Sequence, residues 1–228
     1  QIIDKGREEK KILTKDKDKR VYQLKTSMAR YEDVLVRLGL DNLSFSDKKI
    51  SLSRRQKIES SNKFVVGIAP FAKHKGKEWP VDKMDKLIEK LSLTSNIEVS
   101  LFGGGKREEE IFDNWCSKYQ NVTSYAGKLS FEKELEYISQ LDLMLCMDSA
   151  NMHFASALGV PVISIWGATH PFLGFYGWNQ DLSMAVQLDL ECRPCSVFGN
   201  RDCYRGDYAC LNGIEPQIVF DKILEFFK

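Results

Sequence analysis

The chain has 228 residues, of which 43% are hydrophobic and 29% charged, and a formal net charge of +1. That suits one sizeable α/β domain with an appendage, is marginal for two full domains, and is an ordinary balance for a globular protein. No apolar run approaches the roughly 18 residues needed to cross a bilayer, and residues 1–20 are too rich in Lys, Arg, Asp and Glu for a secretory signal.

A start at Gln1 rather than Met suggests a piece of something longer. Residues 1–62 carry 16 Lys/Arg against 10 Asp/Glu, whereas residues 63–228 carry 17 against 22. A basic start of this kind suits nucleic acid or an anionic membrane surface. The signs are interleaved, however, as on a solvated helix face or an exposed linker, so no nucleic-acid partner is expected.

All six Pro lie at or after Pro70, and 13 of the 15 Gly lie after residue 62. This change in composition puts a boundary near Glu59-Ser60-Ser61-Asn62, between a remnant at 1–62 and a domain at 63–228. In the first part Met28, Tyr31, Val34, Leu35 and Leu38 fall at helical spacing and Gly39 follows as a C-cap. One amphipathic helix is too little to form a core alone.

From residue 63 strands and helices alternate. Phe64–Ala69 is a continuous apolar run suited to a buried strand, and Pro80 takes the first position of a helix that carries Val81, Met84, Leu87, Ile88 and Leu91. Ile97–Phe102 reads as a strand ending in Gly103-Gly104-Gly105. Ile111, Phe112 and Trp115 mark a second helix, and Val122–Tyr125 a short strand. Ser130 caps a helix with Phe131, Leu135 and Ile138. Leu141–Met147 and Val160–Trp166 are further strands, separated by a short helix that Gly159 stops, and a last helix starts at Pro216. The pattern predicts an α/β fold, a doubly wound parallel sheet with right-handed crossovers. Ligands of such sheets bind at the carboxyl ends of the strands, so chemistry is expected after Ala69, Phe102, Met147 and Trp166.

Four segments meet that condition. Asp148-Ser149-Ala150-Asn151-Met152-His153 leaves a strand and enters a helix. Free N–H groups and the helix dipole there attract phosphate, His153 can donate to the same oxygens, and Asp148 can accept from sugar hydroxyls. Equally, Asp148 can be a plain helix cap and His153 a surface histidine. Lys73-His74-Lys75-Gly76-Lys77 can hold a diphosphate by charge or be a solvated basic loop; it lacks P-loop spacing. Gly103-Gly104-Gly105 is weak as a dinucleotide signal, because the G-x-G-x-x-G spacing is missing. Gly167-Ala168-Thr169-His170-Pro171 supplies small residues, the Thr169 hydroxyl and a turn.

In combination these segments resemble glycosyltransferase family 9, the ADP-heptose:lipopolysaccharide heptosyltransferases. The family reads Asp-Ser/Thr-Gly-x-x-His-x-x-Ala-Ala-Leu, an apolar strand, then Gly-Pro-Thr-x-Pro. This chain has Asp148-Ser149-Ala150-Asn151-Met152-His153-Phe154-Ala155-Ser156-Ala157-Leu158 and Gly167-Ala168-Thr169-His170-Pro171, and Lys77-Glu78-Trp79-Pro80 resembles the Lys-x-Trp-Pro signature. The likeness covers residues 63–228, and residues 27–40 loosely resemble the helix joining two domains. It implies the C-terminal, Rossmann-like half of a two-domain GT-B-type enzyme, with Lys77 on the donor diphosphate, Asp148 on the heptose hydroxyls, Ser149, Ala150 and His153 at the phosphates, and Leu129 lining the nucleotide pocket. Thr169 belongs to the same donor set.

The resemblance further implies an ADP-heptose-like donor, a glycolipid acceptor reached through the other domain, and a cytoplasmic protein that associates peripherally with the inner membrane. The general base, an acidic residue, and the Gly-rich acceptor loop are expected in the first domain, outside this chain, which would then be inactive alone. Lys77 and the helix N–H groups meet the charge of the leaving diphosphate, so no metal or other cofactor is expected. Two departures stand out: Ala150 replaces the family's Gly, which can weaken phosphate approach or change the donor, and Ala168 replaces its Pro. A nucleotide-binding module without turnover and an NAD(P) enzyme domain are the alternatives.

Cys116 and Cys146 read as buried thiols. Cys192, Cys195, Cys203 and Cys210, spaced C-x2-C-x7-C-x6-C, also resemble a run in many family members. They suit free thiols, disulfides formed on purification, or a structural zinc.

Overall fold

The computed structural model of the protein describes residues 2–15, 19–40 and 63–228. The boundary expected at 59–62 lies outside the described residues. Six strands form one all-parallel sheet: β1 (Phe64–Ala69), β2 (Ile97–Leu101), β3 (Val122–Ser124), β4 (Leu143–Met147), β5 (Val162–Ile165) and β6 (Ala185–Val186). Their order is β3-β2-β1-β4-β5-β6. The chain winds outward from β1 to β3, crosses back to β4 and winds out the other way. The order therefore reverses between β1 and β4, where a doubly wound sheet opens a crevice for ligands.

Alternation along each strand splits the core into two layers. Val66 and Ile68 of β1, with Leu143, Leu145 and Met147 of β4, face one layer. There they meet Leu87, Ile88 and Leu91 of α3 (Val81–Ser92), Phe112 and Trp115 of α4 (Lys106–Lys118), and Val219 and Ile223 of α8 (Pro216–Phe226). Ala69, Met144 and Cys146 face the other layer. It contains Ile138 of α5 (Phe131–Ile138) and Met152 and Ala155 of α6 (Ala150–Ala157). Each of these large apolar side chains contributes about 1.5–3 kcal/mol on burial.

The local signals act as expected at most ends. Ser130 Oγ accepts from the Lys133 N–H, and Gly159 takes φ +73 after α6. Pro80 is the N-cap of α3 rather than its first helical residue. Two short elements carried no periodic signal: β6 and α7 (Ala209–Asn212).

The N-terminal part differs more. It contains α1 (Arg7–Leu13) as well as α2 (Ser27–Arg37), and Gly39 closes α2 with φ +76, its N–H donating to Val36 O while Leu40 N–H donates to Leu35 O. The expected apolar stripe of α2 is only partly covered: Met28, Val34 and Leu35 are half-buried, Tyr31 and Leu38 are exposed, and the buried residue is Arg30, paired with Asp4 and Glu9. The Arg30 guanidinium is buried, whereas its two carboxylate partners stay largely exposed. Leu13 and Leu24 pack on Leu173, and Leu24 and Ser27 N–H groups donate to Phe172 O and Gly174 O. The segment thus rides on the loop after β5.

Candidate functional site

The loops after β1 and β4 meet at the crevice. Lys77 Nζ stands 2.8 Å from Asp148 Oδ2, and the two side chains are only 15% and 5% exposed. Thr169, fully buried after β5, donates its hydroxyl to the same Asp148 Oδ2 at 2.9 Å. Three residues from three loops therefore converge on one carboxylate oxygen. Among the described residues no hydrogen bond reaches Oδ1.

Close backbone packing places Lys77. It ends a 3-10 turn, Lys75–Lys77. Gly76 donates to Gly199 O and accepts from the Ala168 N–H at 2.8 Å, and a Cβ at Gly76 would stand 2.7 Å from Gly199 O. Only glycine lets these loops approach so closely. Trp79 is the anchor below: its ring is buried and its Nε1 donates to Ile214 O at 3.2 Å. In Lys77-Glu78-Trp79-Pro80 the tryptophan fixes the loop and the lysine faces the crevice edge.

The start of α6 is open. Its N-cap is Ser149, extended at φ −141, and no side chain caps the helix. Ser149 Oγ is buried without a hydrogen-bond partner among the described residues. A buried hydroxyl of this kind needs an explanation, and a bound ligand supplies one. Ala150 is exposed at the first helical position and does not have positive φ. The family glycine is therefore not required here by backbone conformation; what alanine adds is a methyl group at the exposed start of α6. His153 lies one turn further. Its side chain reaches the surface with protein around it; this desolvation pushes its pKa below 6.5 against the pull of Asp148.

Leu129 is half-buried in the turn after β3, on the same sheet edge but at its far strand. The glycine loop after β2 closes on itself: Glu108 Oε2 accepts from the Gly104 N–H at 2.9 Å, so that donor is not offered outward. Two shallow hollows, at residues 2–9 and around Lys86–Leu93 with Glu215–Gln217, lie away from this edge.

Arg193, unmarked in the sequence except by its cysteine neighbours, holds the site from behind. It is 4% exposed and donates to Gly167 O, Thr169 O, Leu188 O and Gln187 Oε1. Lys19 Nζ donates to the carbonyls on either side of it, Cys192 O at 2.7 Å and Pro194 O at 3.2 Å. All six cysteines are free thiols; Cys146 is buried as expected, but Cys116 only half-buried. Burial pushes Cys210 up to about 11 and raises Cys195, which also feels Cys192 and Cys203. Among the described residues no three His, Cys, Asp or Glu are grouped to hold a metal ion.

This sheet order, with its switch-point loops, defines a Rossmann-like domain of the kind that forms half of a GT-B-type glycosyltransferase. The chain belongs to glycosyltransferase family 9 (heptosyltransferase), whose sequence model matches residues 10–203. The match begins well before the motif-bearing region at 63–228. The chain is 28% identical over 166 residues to lipooligosaccharide heptosyltransferase 2 of Haemophilus influenzae, covering 71% of this chain and 46% of that protein. Its fold is similar to that of a family 9 glycosyltransferase from Veillonella parvula (TM-score 0.68, 17% identity, 91% of this chain and 61% of that one). It is also similar to the E. coli heptosyltransferase WaaC solved with ADP-2-deoxy-2-fluoro heptose (TM-score 0.58, 17% identity, 92% and 59%). The chain spans about half the length of the curated relatives it matches. No helix among the described residues is long and apolar enough to cross a membrane.

Proposed function

We propose that residues 63–228 are the donor-binding half of a glycosyltransferase that moves heptose from ADP-heptose to a lipopolysaccharide-core-type acceptor, and that this chain is inactive alone. Residues 1–62 are the end of the preceding domain and the linker. The observation that carries the reading is the convergence of Lys77, Asp148 and Thr169 beside the uncapped start of α6 at the sheet's switch point. A heptosyltransferase of similar fold has been solved with an ADP-linked heptose, which supports the same donor here.

In this reading Lys77 and the N–H groups at the start of α6 bind the diphosphate, with Ser149 and His153 at its oxygens and Ala150 against it. Asp148 Oδ1 accepts from a sugar hydroxyl, while Thr169 fixes the carboxylate. Leu129 lies against the nucleoside. An acidic residue of the facing domain takes the proton of the acceptor hydroxyl, which attacks the anomeric carbon as ADP leaves. Charge growing on the leaving diphosphate falls where Lys77 and the helix start stabilise it. The acceptor is a glycolipid met by the facing domain at the inner face of the cytoplasmic membrane.

Calorimetric titration of the chain with ADP, GDP and UDP tests this. ADP is expected to bind, and Lys77→Ala to weaken it about ten- to a hundredfold, the worth of one charge-assisted hydrogen bond. Binding that ignores Lys77→Ala would remove the diphosphate from this crevice. Transfer is then assayed on protein carrying both domains.

A further inference from the structure

Asp148 occupies an unusual position for a group beside an anionic ligand. Its side chain is 95% hidden from solvent and is paired with Lys77. Both of its partners use Oδ2, and Oδ1 is left for a ligand. Lys77 is held to Asp148 as an ion pair, and its ammonium has three donors that a phosphate can accept from. The carboxylate stays where it is, because Thr169 pins it independently of Lys77, and Thr169 is in turn held through its carbonyl by Arg193. Any group bound next to Lys77 therefore meets a fixed negative charge.

Two classes of ligand meet that charge differently. In a nucleotide sugar the terminal phosphate is a diester with one negative charge, and the sugar presents hydroxyl donors beside it. In a bare nucleoside diphosphate the terminal phosphate is a monoester, whose second ionisation lies near pH 6. At neutral pH it brings almost a full extra charge and no donor. The first ligand satisfies Oδ1; the second is repelled by it.

We infer that Asp148, fixed by Thr169 and paired with Lys77, makes this site select a nucleotide that carries a sugar over the bare nucleoside diphosphate. It rests on the donor-site reading above and adds a consequence: the residue that holds the donor's sugar also expels the nucleoside diphosphate left after transfer. The device acts through charge, so an isosteric neutral side chain reverses the preference instead of merely weakening the site.

The test is a pair of calorimetric titrations at pH 7.5, with ADP and with ADP-heptose, on the chain and on Asp148→Asn. ADP is expected to bind Asp148→Asn about tenfold more tightly, and ADP-heptose about tenfold more weakly. A thermal melt followed by circular dichroism establishes that the variant is folded. A second comparison needs no variant: the methyl ester of ADP, which lacks both the extra charge and the hydroxyls, is expected to bind the unaltered chain more tightly than ADP. Equal or weaker binding of the ester overturns the inference, as does an Asp148→Asn chain that loses affinity for both ligands or gains none for ADP. If the unaltered chain binds neither ADP nor ADP-heptose, the donor-site reading falls and the inference with it. If it binds both and the preference does not reverse, the discrimination alone falls.

Discussion

Replacing Arg193 by methionine keeps the length of the side chain and removes every donor. Two of the guanidinium's bonds, to Gly167 O and to Thr169 O, are buried, and the whole residue is 4% exposed. A buried carbonyl left without its donor costs about 1–3 kcal/mol, so Arg193→Met is expected to lower the unfolding free energy by about 2–6 kcal/mol. Against a total stability of about 5–15 kcal/mol for a native domain this is large. The damage is directional, because the freed segment carries the Thr169 hydroxyl that holds Asp148. Urea unfolding is expected to show a lower midpoint with an unchanged slope, and titration with ADP-heptose, whose sugar uses the Asp148 carboxylate in the proposed reading, is expected to show weaker binding at a temperature where the variant is folded. Arg193→Lys restores a charge but not the planar fork that spans these carbonyls, and recovers only part of either loss. A stability loss below about 1 kcal/mol, together with unchanged ADP-heptose affinity, would refute the reasoning.

Two other outcomes follow from single residues. His170 is pushed down to about 4, chiefly by burial and then by Arg193. Its folded pKa lies below the unfolded value, so as pH falls from about 6.5 toward 4 the unfolded chain takes up a proton that the folded chain refuses. Stability present above pH 6.5 is lost across that window; urea unfolding against pH is expected to show it, and His170→Asn, which keeps a cap for the Phe172 N–H, to flatten part of the slope. An equal slope in both proteins would assign the effect elsewhere. Ala150→Gly removes a methyl group at the exposed start of α6 without relieving any positive φ. It is expected to tighten ADP by a few-fold, read by calorimetry, and weaker ADP binding would show that the methyl does not oppose the phosphate.

The fold was legible because the buried strands and the helices between them obey their periods without interruption. Phe64–Ala69 is an apolar run of strand length, Ile97–Leu101 alternates apolar with polar residues, and Met84, Leu87, Ile88 and Leu91 sit at helical spacing. The sheet-edge rule then selected the loops of Lys77, Asp148 and Thr169, which do converge. What stayed hidden depends on contacts across long sequence separations. β6 has two residues and exists only because Ser164 and Ile165 of β5 offer it a partner. Arg193 is bonded to residues 24 and 26 positions away, a separation that no local pattern encodes. In α2 the expected stripe is only partly covered, with Met28, Val34 and Leu35 half-buried and Tyr31 and Leu38 exposed, while the buried Arg30 is held by Asp4 and Glu9 from far along the chain.

The polar groups of the crevice sort into those the protein satisfies and those it leaves open, and the division follows chain connectivity. Thr169 Oγ1, Asp148 Oδ2 and the Gly167 and Thr169 carbonyls are all bonded, through a line that runs from Lys19 to the Arg193 peptide, through its guanidinium to Thr169, and on to Asp148 and Lys77. Ser149 Oγ and the uncapped start of α6 are not. A fold satisfies nearly all of its buried polar groups, and in the proposed reading the donor's diphosphate completes the ones left open here. The bonded set fixes the open set in space, so its members can be placed by residues that never touch a ligand. It also explains why the N-terminal segment matters to a crevice it does not line: Leu13 and Leu24 pack on Leu173, Lys19 holds both neighbours of Arg193, and the loop carrying Thr169 is thereby held at both ends.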